Sequence, residues 1–501
     1  MRARSATIPA PVGGWNARDP LDEMEPIYAP RMVNYFPQLN DIEIRKGYRV
    51  HSTGMGTGPV QCLAEYAGKD GSRKLLACAN GAIYNASTYN AAATSLASGF
   101  ASNRWQTVNF KNVMILVNGV DTPQQFNGTT VSAATYTGIS DPKELVSPHV
   151  YKERLYFVEE NSQSFWYTHN TASITGALDE YNVGTFLKLG GYLLFAGSQS
   201  RETGAGSQDL FIVCSNMGEV LVYSGSYPGD TAWGLVGRYY LPSFLGRRAF
   251  FNKDADMALI SQQGVIPLNR VLESNGQPSE RETLSSNIQN AFREAARLYG
   301  SNQGWAGLNY PRGNMAIINI PVSQDTNAEQ YVVNTLTGAW TRFTGIPAVS
   351  WSLFNDKPYF GGPDGTVYEF DVDASDDGAA IRTQLKWAFN YFKDRSRIKR
   401  FLMARPLIMS DSPLSFVVGM DVDFQDQQFT STTSTTGTSG SAWDIAEWDT
   451  SSWDASNIYS ADWNQLAALG RCGALRMEGD FLNVSFSLSA VNITYEPGGF
   501  L

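Results

Sequence analysis

The sequence predicts an all-β protein: a β-propeller of six or seven blades with an N-terminal extended arm, one inserted helix and a C-terminal β-sandwich or barrel-like domain. Three observations carry this expectation. Strand–turn–strand units recur along residues 51–372, the composition is rich in aromatics and poor in charge, and alternating strands resume beyond an acidic break near residue 373. The clearest unit is FNDKPYFGGPDGTVYEFD, residues 354–371. Pro358 to Phe360 reads as a strand, Gly361 to Gly365 as a turn, and Thr366 to Phe370 as a second strand. Asp364-Gly365 tolerates the positive φ angles of a type I′ hairpin. Val367 and Glu369 then face one way, and Thr366, Tyr368 and Phe370 the other.

Weaker relatives of this unit are KLLACANGAIYNAS, VMILVNGVDTPQQFNG, RLYFVEENSQSFWYT, DLFIVCSNMGEVLVYSG, MALISQQGVIPLNRV and EQYVVNTLTGAWTRFTG. In each, an apolar strand meets a short turn and a second strand follows. Most spacings are about 40–55 residues, the range of propeller blades. A pair of stacked sandwiches would also supply many short strands. Seven similar hairpins in one series favour radial repetition, because a four-stranded blade buries its faces only against its neighbours.

The totals set limits on function. The 501 residues include 24 Tyr, 26 Phe and 12 Trp, with charged residues at 17%, against ~25% in an average domain. That composition suits many short strands and excludes wholesale disorder. The formal net charge is −10, which argues against wrapping nucleic acid. Residues 411–501 hold twelve acids against Arg471 and Arg476. Cys62, Cys78, Cys214 and Cys472 are scattered, with no C-x-x-C and no Cys/His spacing for a metal, so buried free thiols are expected and no cofactor. No apolar run approaches a membrane span, and residues 1–20 lack the apolar core of a signal peptide. A protein made in a reducing compartment is expected.

Along the chain, residues 1–50 read as an extended arm and assembly segment. Its aromatics Trp15, Tyr28, Tyr35 and Phe36 are candidates for subunit or partner contact. The run Gly54 to Gly58 reads as a plain turn, since no helix follows to complete a phosphate site. One helix is predicted near 279–300, opened by an Ser279–Glu282 capping box, striped by Leu284, Ile288, Phe292, Ala295 and Tyr299, and stopped at Gly300. The stripe covers either its own propeller or a neighbouring subunit.

After Phe370, DVDASDDGAA marks a domain boundary. Strands are expected in RTQLKWAFNYF, DRSRIKRFLMARPLIMS, SPLSFVVGMDVDF and DFLNVSFSLSAVNITYE. Between them lie a Thr/Ser tract and three Trp-Asp pairs at Trp443, Trp448 and Trp453, with Trp463 beyond. Five-residue spacing fits neither a WD40 repeat nor one face of a strand or helix. A loop whose indoles anchor an interface is the expectation, with a sugar-stacking platform as the alternative. Lys393, Arg395, Arg397 and Lys399 alternate, so a strand there would carry all four on one face, with Arg400 opposite. Pairing with an acidic protein surface suits this strip better than DNA, because no aromatics interleave with it.

No catalytic constellation stands out. His51, His149 and His169 lie in no nucleophile elbow, zinc helix or Cys/His pattern. Carboxylate pairs could still meet in space among Asp376, Asp377, Asp421, Asp423 and Asp426.

Three segments together resemble a known family. GGWNARDPLDEMEPIYAPRMVNYFPQLNDIEIRKGY is similar to the opening of the tail hub or nozzle proteins of short-tailed bacteriophages, also called packaged-DNA stabilisation proteins. The 354–371 hairpin, and the closing RIKRFLMARPLIMS, Trp-Asp pairs and VNITYEPGG, resemble later parts of that group. The resemblance implies a structural virion protein with no catalytic residues. It implies a homo-oligomeric ring, expected as a hexamer, below the portal and adaptor proteins and beside tail fibres or tailspikes. Double-stranded DNA would pass transiently through the ring, which helps retain the packaged genome until ejection. The chain would be assembled in the host cytoplasm and reside in the virion tail, without membrane insertion. The competing expectation is a virion-associated carbohydrate-binding or glycan-degrading propeller acting on the host surface.

Overall fold

The structure is a computed structural model that describes residues 3–203, 206–253, 256–273, 283–428, 431–434, 458–460 and 462–500. It is all-β, built of many small sheets. The chain divides into two compact units, one of residues 50–329 with 347–369, the other of residues 1–49, 330–346 and 370–501.

In the first unit, sheets follow one another in sequence order, each a meander of antiparallel strands. Four of them open with Cys62–Ala67, Gln106–Phe110, Leu145–Tyr151 and Leu193–Thr203; the last three run through their next three strands, and the first adds Arg73–Ala79, Ala82–Asn85 and Thr94–Ser98. A fifth has Phe250–Lys253, Asp256–Ser261 and Gly264–Pro267, and a further antiparallel pair joins Ala306–Tyr310 to Met315–Ser323. The last sheet is Ser350–Phe354, Lys357–Gly361 and Val367–Phe370, and Tyr48–Thr53 from the far end of the sequence adds beside Val367–Phe370.

Strand alternation explains how the sheets pack. In Val113–Val117, Met114 and Leu116 face Cys62, Cys78 and Trp105, whereas Ile115 and Val117 face Leu155, Phe157 and Trp166. In Arg154–Glu159 the other face, Tyr156 and Val158, meets Phe211 and Tyr223 of the next sheet. A strand buried on both faces reads as a continuous apolar run, which is why VMILV and LYFV carry no polar alternation. The series also closes on itself: Leu63, Leu75 and Ala77 of the first sheet pack against Phe354, Tyr359 and Val367 of the last.

The helix is shorter than the sequence predicts. Residues 274–282, including the Ser279–Glu282 capping box, lie outside the described residues. Leu284 sits in a turn, Ser286–Ile288 is a 3₁₀ turn, and the α-helix is Gln289–Tyr299. Gly300 does stop it, its N–H donating to Ala296, but in right-handed rather than left-handed geometry. Phe292 is fully buried, 6.0 Å from the Trp305 ring, so the stripe covers its own unit. Burying that phenyl ring contributes about 2–3 kcal/mol.

In the second unit, the N-terminal segment is woven into the C-terminal strands. Arg4–Pro9 pairs antiparallel with residues 490–495 of the strand Phe486–Phe500, and Ile42–Ile44 pairs with its other end. Phe486–Phe500 also lies along Arg397–Ser410. A second sheet holds Arg31–Val33, Ile381–Lys386, Gly473–Phe481 and Ser415–Val422. Tyr35 and Phe486 from one sheet meet Thr383 and Phe481 from the other, the Tyr35 hydroxyl 3.1 Å from the Thr383 hydroxyl. Gly47 is required by close approach, because a Cβ there would collide with the Ser375 carbonyl.

Candidate functional site

The residues expected to make subunit contacts fare differently. Trp15, Tyr35 and Phe36 are buried within their own unit, which corrects their assignment to an outward interface. Trp15 packs edge-on at 5.0 Å to Tyr331, and Phe36 lies 6.5 Å from Phe343. Apolar aromatics flanked by turns look alike in sequence whether they anchor a core or a partner. Tyr28 is half-buried. Trp443, Trp448 and Trp453 lie outside the described residues. Trp463 is exposed, with the Arg405 guanidinium 5.0 Å from its ring centroid.

The basic strip is not one strand face. Its strand begins only at Arg397, and Lys393 occupies a turn with φ +65°. Arg395 stacks 4.6 Å over Tyr391, and Arg397 lies 3.5 Å from Asp394. Lys399 points inward, its ammonium donating to the carbonyls of Asp394, Arg397 and Arg471, while Arg400 is exposed. Burial of Lys399 holds its pKa below the usual lysine value. Asp394 breaks the expected strand by accepting from the backbone of Ser396 and Arg397, an Asx turn.

The acids weighed as catalytic pairs are largely committed elsewhere. Asp376 takes both terminal nitrogens of Arg45, at 2.8 and 2.6 Å. Asp421 lies 2.8 Å from Lys386, which also reaches Asp426 at 2.6 Å. Asp423 accepts from the backbone of Arg471 and Cys472.

A cavity of about 850 Å³ lies in the unit of residues 50–329 and 347–369. Equivalent strand ends line it. Arg104, Tyr192, Arg248, Trp305 and Val349 each stand just before the first strand of a sheet; Asn118, Glu160, Asn216 and Gln262 each follow a second strand. Sequence reading misses these residues because they fall in connecting turns of unlike composition; their common signal is position within the repeat.

The lining is polar, and two of its three arginines are paired with carboxylates. Arg247 reaches Glu160 at 2.7 Å. Arg104 meets Asp325 at 2.7 and 2.8 Å, and Gln61 donates to the same carboxylate at 3.0 Å. Burial, with the nearby Arg248 charge, lowers the Arg104 pKa despite Asp325. Arg248 donates to the carbonyls of Gln61 and Trp105. Glu160 is the only carboxylate among the described lining residues.

No histidine lines the cavity. His51 bonds to the Ala86 carbonyl at 3.1 Å and His169 to Asp179 at 2.8 Å. His149 is half-buried, its Nε2 shut off from solvent, and that desolvation lowers its pKa to about 4. The unfolded chain then takes up a proton that the fold refuses as pH falls from about 6.5 to 4. Stability from this group is complete above that window and is lost within it, by up to ~3 kcal/mol. Urea midpoints measured from pH 7 to pH 4 should fall less steeply for His149→Gln than for the parent chain.

Among the described residues no three metal-ligating side chains come together, and no helix is long and apolar enough to cross a membrane. No family model and no curated protein matches the chain. Solved structures that are similar over part of it include the designed protein Ika8, at 11% identity and TM-score 0.36 over 65% of this chain and 100% of that one. YCF48 with a bound peptide aligns at 10% identity and TM-score 0.34, over 68% of this chain and 97% of the other. Raptor from Chaetomium thermophilum aligns at 9% and 0.40, over 66% and 30%.

Proposed function

We propose that the chain is a structural, non-enzymatic subunit of a virion tail, a nozzle-type ring protein whose sheet series forms a seven-bladed β-propeller. The observation that carries the propeller is cyclic closure: each sheet packs on the next, the first packs on the last, and one cavity is rimmed by matching strand ends. Tyr48–Thr53 would complete the seventh blade as its outer strand. The unit built from both ends of the chain is read as the C-terminal sandwich. The tail assignment rests on the resemblance of the N-terminal, 354–371 and C-terminal segments. The one carboxylate among the described cavity residues, Glu160, is engaged by Arg247, which favours a mechanical role over glycan cleavage.

A subunit surface for this ring is at hand. Leu39 and Leu336 are 75% and 76% exposed, on turns tied together by Asn334 donating to the Pro37 carbonyl at 2.9 Å. Covering each leucine with a second copy would contribute about 1.5–3 kcal/mol. Portal, adaptor, fibre and DNA contacts follow from the same reading, with ring copies as the first partner.

Deleting residues 1–40 is a poor test, because it also removes the strand paired with Phe486–Phe500. The double variant Leu39→Glu/Leu336→Glu leaves the interior untouched. Sedimentation and electron microscopy should show a ring for the parent chain and folded monomers for the variant, with association weakened at least ~100-fold. A parent chain that stays monomeric at high concentration, or a variant ring of unchanged stability, refutes the assignment.

A further inference from the structure

Cys62 and Cys78 occupy directly opposed positions on the first two strands of the first sheet, Cys62–Ala67 and Arg73–Ala79. Opposed residues of an antiparallel pair have Cα atoms about 4.5–5.5 Å apart, whichever hydrogen-bonding type the pair is. That separation lies within the ~4.4–6.8 Å a disulfide accepts. Both side chains point to the same face, toward Trp105, Met114 and Leu116. Each is buried as a free thiol.

Arg248 makes this pair unequal. Its guanidinium sits on the cavity lining and donates to the carbonyl of Gln61, the residue before Cys62, which brings a positive charge near that sulfur. A positive charge near one sulfur of a paired dithiol stabilises that sulfur as a thiolate.

We propose that Cys62 and Cys78 form an oxidation site, a cross-strand dithiol that closes to a disulfide on reaction with hydrogen peroxide, with Cys62 as nucleophile and Cys78 as resolving thiol. The Cys62 thiolate attacks one peroxide oxygen; the O–O bond breaks, hydroxide leaves and a sulfenic acid forms. The Cys78 sulfur then attacks the Cys62 sulfur; the S–O bond breaks and the S–S bond forms. Water leaves with the Cys78 proton. Two thiols lose two electrons in total and one peroxide becomes two waters. The electrostatics agree with these roles. The hydrogen bond from Cys78, aided by Arg248, holds Cys62 below the usual thiol range against the effect of burial, whereas burial raises Cys78. Cys214 and Cys472 serve as internal controls, since burial raises both thiols.

The test uses the full chain, treated with hydrogen peroxide near neutral pH, then denatured, alkylated and mapped by mass spectrometry. The expected product joins the peptides of Cys62 and Cys78 and leaves Cys214 and Cys472 alkylated. In Cys78→Ser the intermediate should persist and be trapped by dimedone at Cys62; in Cys62→Ser, Cys78 should oxidise no faster than Cys214. Arg248→Gln should slow disulfide formation about tenfold at pH 7, because an ordinary thiol is only a few per cent ionised there, and raising the pH should restore the rate. Recovery of Cys62 and Cys78 as separately alkylated peptides overturns the proposal. So does over-oxidation of Cys62 beside an intact Cys78 thiol, or an Arg248→Gln rate equal to the parent's at pH 7. Should Arg248→Gln fail to fold, the parent map and the Cys78→Ser adduct decide the matter.

Discussion

Replacing Arg45 by alanine is expected to cost about 3–5 kcal/mol, the range for a buried ion pair that loses one partner. Its side chain is 1% exposed, and every N–H is used. Nε donates to Asn34 at 2.9 Å, Nη1 to Lys46 and Asp376 at 3.0 and 2.8 Å, and Nη2 to Thr344 and Asp376 at 2.9 and 2.6 Å. One guanidinium thus ties together three segments far apart in sequence. The variant strands the Asp376 carboxylate and takes a donor from three further acceptors, on Asn34, Lys46 and Thr344, and each buried orphan adds its own desolvation penalty. Lysine is a poor replacement, having three donors and no planar fork. Urea unfolding should show a large drop in midpoint for Arg45→Ala and nearly as large a drop for Arg45→Lys. A loss below about 1 kcal/mol for Arg45→Ala would mean the site rehydrates, and that its closure is overstated.

Asp421→Ala should be nearly as damaging. Asp421 is fully buried, 2.8 Å from Lys386 and 3.8 Å from Arg476, and its other oxygen takes the Gln427 amide at 2.8 Å. Lys386 and Arg476 face each other across paired strands, so the aspartate separates two like charges. Without it, Asp426, which is half-exposed, is left to balance both. A loss of about 3–5 kcal/mol is expected, and the combination Lys386→Met/Asp421→Leu should recover much of it by removing the charges together. A double-mutant cycle on unfolding free energies measures the coupling; additive losses would show that the pair does not interact.

Much of the strand pattern was legible, and the failures have physical causes. The hairpin at Asn80-Gly81 carries φ angles of +48° and +69°, as its dipeptide predicts. Lys111-Asn112, Lys152-Glu153 and Asn355-Asp356 make two-residue turns with both φ angles positive and no glycine. There, pairing of the flanking strands overrides local preference. The 354–371 stretch shows both cases. Its tight turn is Asn355-Asp356, while the Asp364-Gly365 end is a wider loop closed by the Gly362 amide donating to Thr366, with Gly365 alone at positive φ. Glu369 shares the Val367 face, as strand alternation predicts, but is buried there, compensated by Lys357 at 2.7 Å. The cavity was illegible, since its lining comes from turns brought together only by closure of the sheet series. The basic strip failed because alternation was read through Asp394, whose side chain had already folded the backbone into a turn.

The way each unit recruits strands from distant parts of the sequence bears on how the molecule is made. Tyr48–Thr53 leaves the ribosome early but waits for Val367–Phe370, and Arg4–Pro9 waits for residues 490–495. Neither pairing can form until synthesis has run several hundred residues further, so early strands must zip onto late ones. Until then those edges stay open to other nascent chains, and growth temperature and expression rate should govern yield more than the stability of the finished fold.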